Sequence, residues 1–192
     1  TDQLDLPDAL VGDEPQLYDL NAVAYESVLL GAFAVFYGPQ NHVCARTGKP
    51  KIIDLQIGYS RDGFHWHRPD RSAFIPCSRQ QGSWNYRYIH AAGGVCLVVR
   101  DELWFYFGTF SGHSPILKPG ETGNFEQANA MYAGGSTGLA TLRRDGFASM
   151  EAGTDEGVLV TRPVTFSGKY LFVNVDSPQG ELRVELLDED EN

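Results

Sequence analysis

The sequence predicts an all-β protein, and three features of its composition support this fold class. Glycine and proline are frequent, at 21 and 10 of 192 residues, so the chain turns often. Aromatic residues form 12% of the chain and stand with valine and isoleucine in short apolar runs. Several of these runs alternate apolar and polar residues, which is the period of a strand. The composition therefore excludes a disordered chain, a coiled coil and a helical bundle.

The first apolar run, residues 22–37, predicts a pair of strands. Its length would also fit a helix. Its aromatic and β-branched residues, with Gly31 in the middle, favour strands. Residues 51–59 alternate and predict a further strand, which runs into an Asp-Gly sequence typical of a tight turn.

The middle of the chain predicts three more strands and one loop. Residues 86–100 and 102–110 are apolar on both faces, so we expect two central strands that are buried on each side. Residues 111–131 are polar and rich in glycine and asparagine, and predict a long loop. Residues 138–143 predict the third strand.

The pattern of apolar and polar residues changes after Gly153. Three segments alternate cleanly, at residues 158–166, 169–175 and 181–187, with turn residues between them. We therefore expect two domains, residues 1–153 and residues 154–192. The chain opens and closes abruptly, which indicates a piece of a longer protein.

The charge of −10 is concentrated at the two ends. Residues 1–14 carry five acids and no base, and residues 181–192 carry six acids and one arginine. We expect solvated tails there. Without a basic cluster the body of the chain does not predict a nucleic-acid partner. The longest apolar run, Val28–Tyr37, is shorter than the ~20 residues that span a bilayer, so no membrane segment is predicted.

The three cysteines form no Cys-x-x-Cys pair, so neither a disulfide framework nor a zinc site is predicted, and no cofactor is implied. The location in the cell stays open.

A four-residue repeat indicates the architecture. Residues 61–64 and 144–147 both read Arg-Asp-Gly-Phe, and each copy follows a predicted strand. A sheet that recurs with the same turn is typical of propeller blades. The aspartate would accept backbone N–H groups of the turn, the glycine would take positive φ, and Trp66 would pack between sheets.

The first of these turns, residues 60–66, resembles the Ser-x-Asp-Gly-x-x-Trp turn of five-bladed propeller glycosidases of families 32 and 43. Residues 17–27 and 137–149 are similar to proteins of the family 32 N-terminal-domain-like group. The resemblance implies part of a five-bladed β-propeller followed by the first strands of a β-sandwich. It also implies hydrolysis of glycosidic bonds. The early blades, which carry the nucleophilic aspartate in family 32, have no counterpart in this chain.

Glu26 is the candidate general acid. Glycoside hydrolysis needs two carboxyl groups that flank the bond. Glu26 stands in an apolar run, where desolvation by neighbours such as Tyr25 would raise its pKa as a general acid requires. Its Tyr-Glu-Ser setting resembles the Glu-Cys motif of the family 32 acid, with Ser27 in place of the cysteine. The alternative is a glutamate paired with an arginine at a strand end. We group Tyr25 with the substrate-binding candidates.

Four further polar residues are candidates for substrate binding. Asp19 and Asn21 share one face of an extended strand and could bind sugar hydroxyl groups, or could cap a turn. Asp54 is an acid within an apolar strand. It could hold Arg87, or act as the transition-state stabiliser of family 32, although no proline follows it.

Two histidines complete the binding candidates. Tyr86, Tyr88 and His90 share a strand face, where aromatic rings could stack on sugars or simply pack between blades. His113 follows a predicted strand end, a position at which loops often carry function.

Two other sets of polar residues receive structural interpretations. His65 and His67 lie two apart but lack an acid or cysteine at matched spacing, so no metal site is predicted. Asp62 and Asp145 recur in the repeat, which favours a role in the turns.

We therefore expect a glycoside hydrolase-like protein that acts on carbohydrate, with one member of the carboxyl pair missing from this chain. The alternative is a non-catalytic carbohydrate-binding or structural propeller remnant. Because two blades cannot close a five-bladed ring, exposed sheet edges predict a homo-oligomer, most simply a dimer.

Overall fold

The computed structural model describes residues 4–112 and 132–188. The chain divides into two units, Thr1–Ala148 and Ser149–Asn192. Within the described residues the first unit is a mixed sheet of eight strands with one short helix, so the predicted all-β class is confirmed.

The elements follow one another along the first unit. They are β1 Gln16–Tyr25, β2 Val28–Phe36, α1 Asn41–Thr47, β3 Ile53–Ser60, β4 Trp66–His67, β5 Tyr88–Ala91, β6 Leu97–Val99, β7 Glu102–Phe110 and β8 Gly135–Arg143.

The first four strands form an antiparallel meander. β1 pairs with β2, β2 with β3, and β3 with the short β4. The strand pair predicted within residues 22–37 is present, but β1 begins at Gln16, six residues before the predicted start. Gly31 of β2 lies directly opposite Gly58 of β3. Because neither residue has a side chain, the rings of Phe33 and Trp66 pack over this position, with their centroids 5.5 Å apart.

The second group of strands is built around β7. β5 and β6 both pair with the same edge of β7, and β8 pairs with its other edge. Residues 86–100 therefore do not form the single central strand that we predicted. Five residues, 92–96, lie opposite only two, 105–106, and this excess interrupts the strand.

Burial of β7 also differs from the prediction. Leu103, Phe105 and Phe107 are buried in the core, whereas Trp104 and Tyr106 between them are half-buried. An antiparallel strand with one face on the core alternates in this way.

The two groups of strands meet at one parallel pair, Ile53 of β3 with Tyr88 of β5. Both side chains are fully buried. This junction brings the beginning of β5 beside the first half of β1, where the candidate site lies.

The N-terminal segment, residues 4–15, is not the solvated tail that its charge predicts. Asp5 is buried and receives hydrogen bonds from Arg68 and Arg71, with Arg68 Nη2 2.7 Å from Asp5 Oδ2. Asp8 accepts two hydrogen bonds from Arg79. Paired carboxylates attach this segment to the loop beyond β4, since buried arginines need a counter-charge.

The second unit has neither helix nor strand in its described part, residues 149–188. The predicted strands at 158–166, 169–175 and 181–187 are therefore not assigned, and large apolar side chains such as Phe166 and Phe172 are exposed. Alternation alone does not make a strand, because a strand also needs a hydrogen-bonding partner.

Candidate functional site

Three predicted binding residues come together between β1 and β5. His90 Nδ1 lies 3.5 Å from Asp19 Oδ2, and the Asn21 side-chain amide donates to Asp19 Oδ1 at 3.4 Å. Asp19 and Asn21 are two residues apart in an extended strand, so both side chains leave the same face. We call these three residues the Asp19–His90 cluster.

Tyrosine rings surround this cluster. The His90 ring centroid lies 5.5 Å from that of Tyr18 and 4.6 Å from that of Tyr88, and the hydroxyl of Tyr88 donates to that of Tyr18. Tyr132 packs edge-on against Tyr88 at 5.7 Å. Tyr88 is fully buried, whereas Tyr18 and Tyr132 are 42% and 49% exposed. The cluster thus has two exposed aromatic rings beside its hydrogen-bonding groups.

A β-bulge places Tyr18 in the site. The register of β1 against β2 shifts between Leu17 and Asp19, so Tyr18 has no partner residue on β2. In a regular strand Tyr18 and Asp19 would point to opposite faces, yet both contact His90. A bulge redirects side chains in this manner and is invisible to an alternation pattern, which explains why the sequence did not identify Tyr18.

Burial controls the ionisation of the cluster. It lowers the pKa of His90, and Lys51 lowers it further, against the opposing effect of Asp19. Burial likewise raises the pKa of Tyr88, and its hydrogen bonds to Tyr18 and with Tyr132 act in the same direction. At neutral pH His90 is therefore a neutral imidazole and Tyr88 a neutral phenol, and both can donate and accept hydrogen bonds.

Glu26 is not brought to this cluster. It lies in the turn between β1 and β2 with a φ of 49°, its side chain is 59% exposed, and Arg144 Nη2 donates to its carboxylate at 2.7 Å. The desolvation that we expected for Glu26 is therefore absent. Seven residues of strand separate it from Asp19, which is about 23 Å at ~3.3 Å per residue.

Tyr25 also lies at the far end of β1, away from the cluster. Its side chain is buried, its hydroxyl donates to Asp145, and its ring packs edge-on against Phe147. The second Asp-Gly sequence thus anchors the end of β1, and Tyr25 has a packing role in this structure.

Asp54 forms a buried ion pair, but with Arg79 and not with Arg87. Both terminal nitrogens of Arg79 donate to the Asp54 carboxylate, which also accepts the backbone N–H of Cys77. Burial and the neighbouring Asp54 charge raise the pKa of the Cys77 thiol. Asp54 is buried, and the hydrogen-bond partners of its carboxylate, Arg79 and Cys77, lie outside the Asp19–His90 cluster.

Arg87 is buried immediately before β5, with a positive φ of 65°. Its guanidinium stacks on Tyr86 and donates to the carbonyl of Pro50. His113 lies outside the described residues.

The first Asp-Gly turn has the structural role that the repeat predicts. Asp62 accepts the backbone N–H groups of Phe64 and His65, and Gly63 has a φ of 81°. The second turn is built differently. Asp145 itself has positive φ, at 60°, and its carboxylate receives the hydroxyl of Tyr25.

The two closely spaced histidines have separate partners. The His65 ring contacts Asp62 at 2.6 Å, whereas the His67 ring stacks on Tyr59. In ranges 4–112 and 132–188 no three His, Cys, Asp or Glu residues are grouped as metal ligands would be. The same ranges contain no helix of the length and apolar character that crossing a bilayer requires.

Comparisons with known proteins give one distant similarity. No family model and no curated protein matches the chain. A solved structure named "Glycoside hydrolase" is similar over 71% of this chain and 35% of its own, with a TM-score of 0.38 and 12% identity. The chain spans about a third of the length of that protein. A similarity at this level does not establish a shared activity.

Proposed function

We propose that this chain belongs to a glycoside hydrolase-like protein and that it binds carbohydrate at the Asp19–His90 cluster. The observation that carries the proposal is the combination of exposed rings and hydrogen-bonding groups in one place. A sugar has apolar C–H faces that stack on rings such as Tyr18 and Tyr132, and hydroxyl groups that bond to Asp19, Asn21 and His90.

We also propose that the two groups of strands are two blades of a five-bladed propeller, and that residues 154–192 begin a β-sandwich. Strand order supports the first part. β3 is the third strand of the first meander, and β8 is the strand that follows β7 in the second group. Each of these two strands is followed by Arg-Asp-Gly-Phe. Alternation of residues 158–187 supports the second part.

Hydrolysis would need a second carboxyl group. The two carboxyl groups of a glycosidase stand about 5–10 Å apart. Among the described residues Asp19 is the carboxylate of the cluster, and Glu26 lies too far along β1 to act on the same bond. A partner for Asp19 would have to come from elsewhere in the protein.

That absence within the described residues favours a second candidate function, binding without hydrolysis. The two functions separate in one assay. We expect this chain alone to bind neutral oligosaccharides and to release no reducing sugar from them. Release of reducing sugar by the chain would contradict the expectation that a catalytic partner is missing.

Two pairs of variants test the binding site. Tyr18→Ala and His90→Ala should each weaken binding of a neutral trisaccharide by about tenfold or more in isothermal titration, which corresponds to about 1.4 kcal/mol. Tyr59→Ala and His67→Ala are matched controls, because they remove another exposed tyrosine that stacks on a histidine, beside β4. Equal affinity in all four variants would overturn the proposed site.

A further inference from the structure

Two buried cations adjoin the tyrosines that surround the Asp19–His90 cluster, Lys51 by contact with Tyr18 and Arg87 as the residue before Tyr88. Lys51 is 9% exposed and Arg87 is 5% exposed. The Lys51 ammonium stands 5.3 Å from the ring centres of Tyr18 and Phe36, so it shares Tyr18 with the cluster. The Lys51 ammonium thus contacts both Tyr18 of the candidate site and the buried ring of Phe36.

Neither cation has a carboxylate partner within ranges 4–112 and 132–188. Lys51 lies over the two rings, and Arg87 lies over a ring and donates to the carbonyl of Pro50. Arg87 Nε is buried with no acceptor among the described residues. Removing a cation from water is costly, and a cation–π contact recovers only part of that cost. The contacts in place therefore do not balance the burial of two charges.

Two arginines in the loop beyond β4 show how such a charge is balanced. Arg68 pairs with Asp5 at 2.7 Å, and Arg79 pairs with both Asp54 and Asp8. Within the described ranges no carboxylate pairs in this way with Lys51 or Arg87, although both are buried.

The two cations also act on the same part of the chain, between Cys44 and Lys51. Arg87 Nη1 donates to the carbonyl of Pro50, the residue before Lys51, and both cations act electrostatically on the Cys44 thiol. Asp13 acts on Cys44 as well but forms no ion pair with either cation. Two like charges that are buried together attract an anion.

We propose that the sugar bound at the Asp19–His90 cluster carries an anionic substituent, a carboxylate or a sulfate ester, and that Lys51 and Arg87 bind it. This inference rests on the proposed function. A sugar stacked on Tyr18 places its substituents beside the Lys51 ammonium, where a charge-assisted hydrogen bond is about twice as strong as a neutral one. The anionic group would supply the counter-charge that the described residues do not supply.

Matched sugars test the charge alone. Uronic acid trisaccharides are titrated beside their methyl esters, and sulfated trisaccharides beside their desulfated forms. We expect one charged form to bind about tenfold more tightly than its neutral partner. The arm that shows this preference identifies the substituent as a carboxylate or a sulfate ester. Equal affinity in both arms would overturn the inference while leaving carbohydrate binding intact.

Variants assign the preference to the cation. Lys51→Met should abolish the preference for the charged sugar over its neutral partner, and Lys51→Arg should restore it. Lys49→Met is the matched control, because Lys49 is exposed two residues away. A preference that survives Lys51→Met would contradict the assignment.

A third measurement separates this inference from the proposed function. If no sugar binds, the proposed function fails. Sulfate ion alone is then added, and a rise in melting temperature for the wild type but not for Lys51→Met would still support an anion site. No rise would overturn both proposals.

Discussion

Asp62 shows how much one side chain contributes to a turn. Its carboxylate accepts two backbone N–H groups and contacts the His65 ring, and these bonds hold its pKa well below the ordinary range. The same carboxylate raises the pKa of His65. Both residues are at the surface, so their interaction depends on pH and on salt.

The pH dependence has a definite sign. The Asp62 contribution is complete above the ordinary aspartate pKa and is lost as the pH falls through its lowered value. The His65 contribution is complete below the ordinary histidine pKa and is lost as the pH rises through its raised value. We therefore expect His65→Ala to lower the melting temperature more at pH 5.5 than at pH 9. In the Asp62→Ala background the same substitution should show no such difference, because the carboxylate that raises the pKa of His65 is absent.

Glu26 tests whether the two ends of β1 serve one site. Because about 23 Å of strand separates Glu26 from Asp19, we expect Glu26→Gln to leave sugar affinity unchanged. The general-acid role that the resemblance implies has a different signature. In a longer protein with hydrolase activity, Glu26→Gln would slow cleavage of a natural glycan by about 10²–10⁴-fold, and of nitrophenyl glycosides by less. An unchanged rate would leave Glu26 only its contact with Arg144.

At the scale of elements, the first meander depends on two glycines that face each other in β2 and β3. A Cβ atom on Gly31 would lie 2.5 Å from the Trp66 ring and 2.9 Å from Leu20. A Cβ atom on Gly58 would lie 2.8 Å from the carbonyl oxygen of His67, which cannot move aside without disturbing β4. Both glycines are therefore required by packing.

We expect Gly31→Ala to lower the free energy of unfolding by about 1–3 kcal/mol, the usual cost of overpacking. Gly108→Ala is the matched control, because Gly108 lies within β7 with nothing within 4 Å of its added Cβ. Urea denaturation measures both. Trp66→Leu in the Gly31→Ala background should recover part of the loss, since it removes the clashing ring. Equal losses for the two glycines would contradict the packing argument.

Elements with local signals were predictable, and elements that depend on a distant partner were not. Gly31 and the β-branched residues around it marked β1 and β2, and alternation marked β3 and β8. The excess residues 92–96 could not be foreseen, because they are defined only against β7. Alternation in residues 158–187 predicts strands, but pairing requires a neighbour that the described residues do not provide.

The candidate site divides in the same way. Asp19, Asn21 and His90 stood out as polar residues on predicted strand faces, and the structure brings them together. Tyr18 reaches the site only because of a bulge in β1. Lys51 is recognised as a candidate only from the structure, in which no described carboxylate pairs with it. Contacts that join residues far apart in the sequence leave no local pattern.

At the scale of the whole molecule, the first unit has open sheet edges. β1 and β8 are edge strands within the described residues, and most side chains of β8 are exposed, Leu139 among them. An edge strand offers unpaired backbone groups to another chain. Nothing on β8 blocks such pairing, since it has no proline and its first charged residue is its last.

We therefore expect the protein to be a dimer by light scattering at micromolar concentration. Leu139→Lys places a charge on the exposed edge and should shift the protein toward the monomer. Leu182→Lys, which changes an exposed leucine outside the sheet, is the control. A monodisperse monomer for the wild type would contradict the expectation of self-association.

The N-terminal segment has a consequence for the order in which the molecule assembles. Asp8 is 71 residues from Arg79, and Asp5 is 63 residues from Arg68, so both acids reach their partners only after the later strand β4 exists. Contacts with such separation close large loops and form late. Asp8→Ala should therefore speed unfolding in stopped-flow experiments and leave the refolding rate nearly unchanged. A slower refolding rate would place the segment in the folding nucleus. The ion pairs of Asp5 and Asp8 would thus slow the unfolding of the finished sheet and leave its folding rate unchanged.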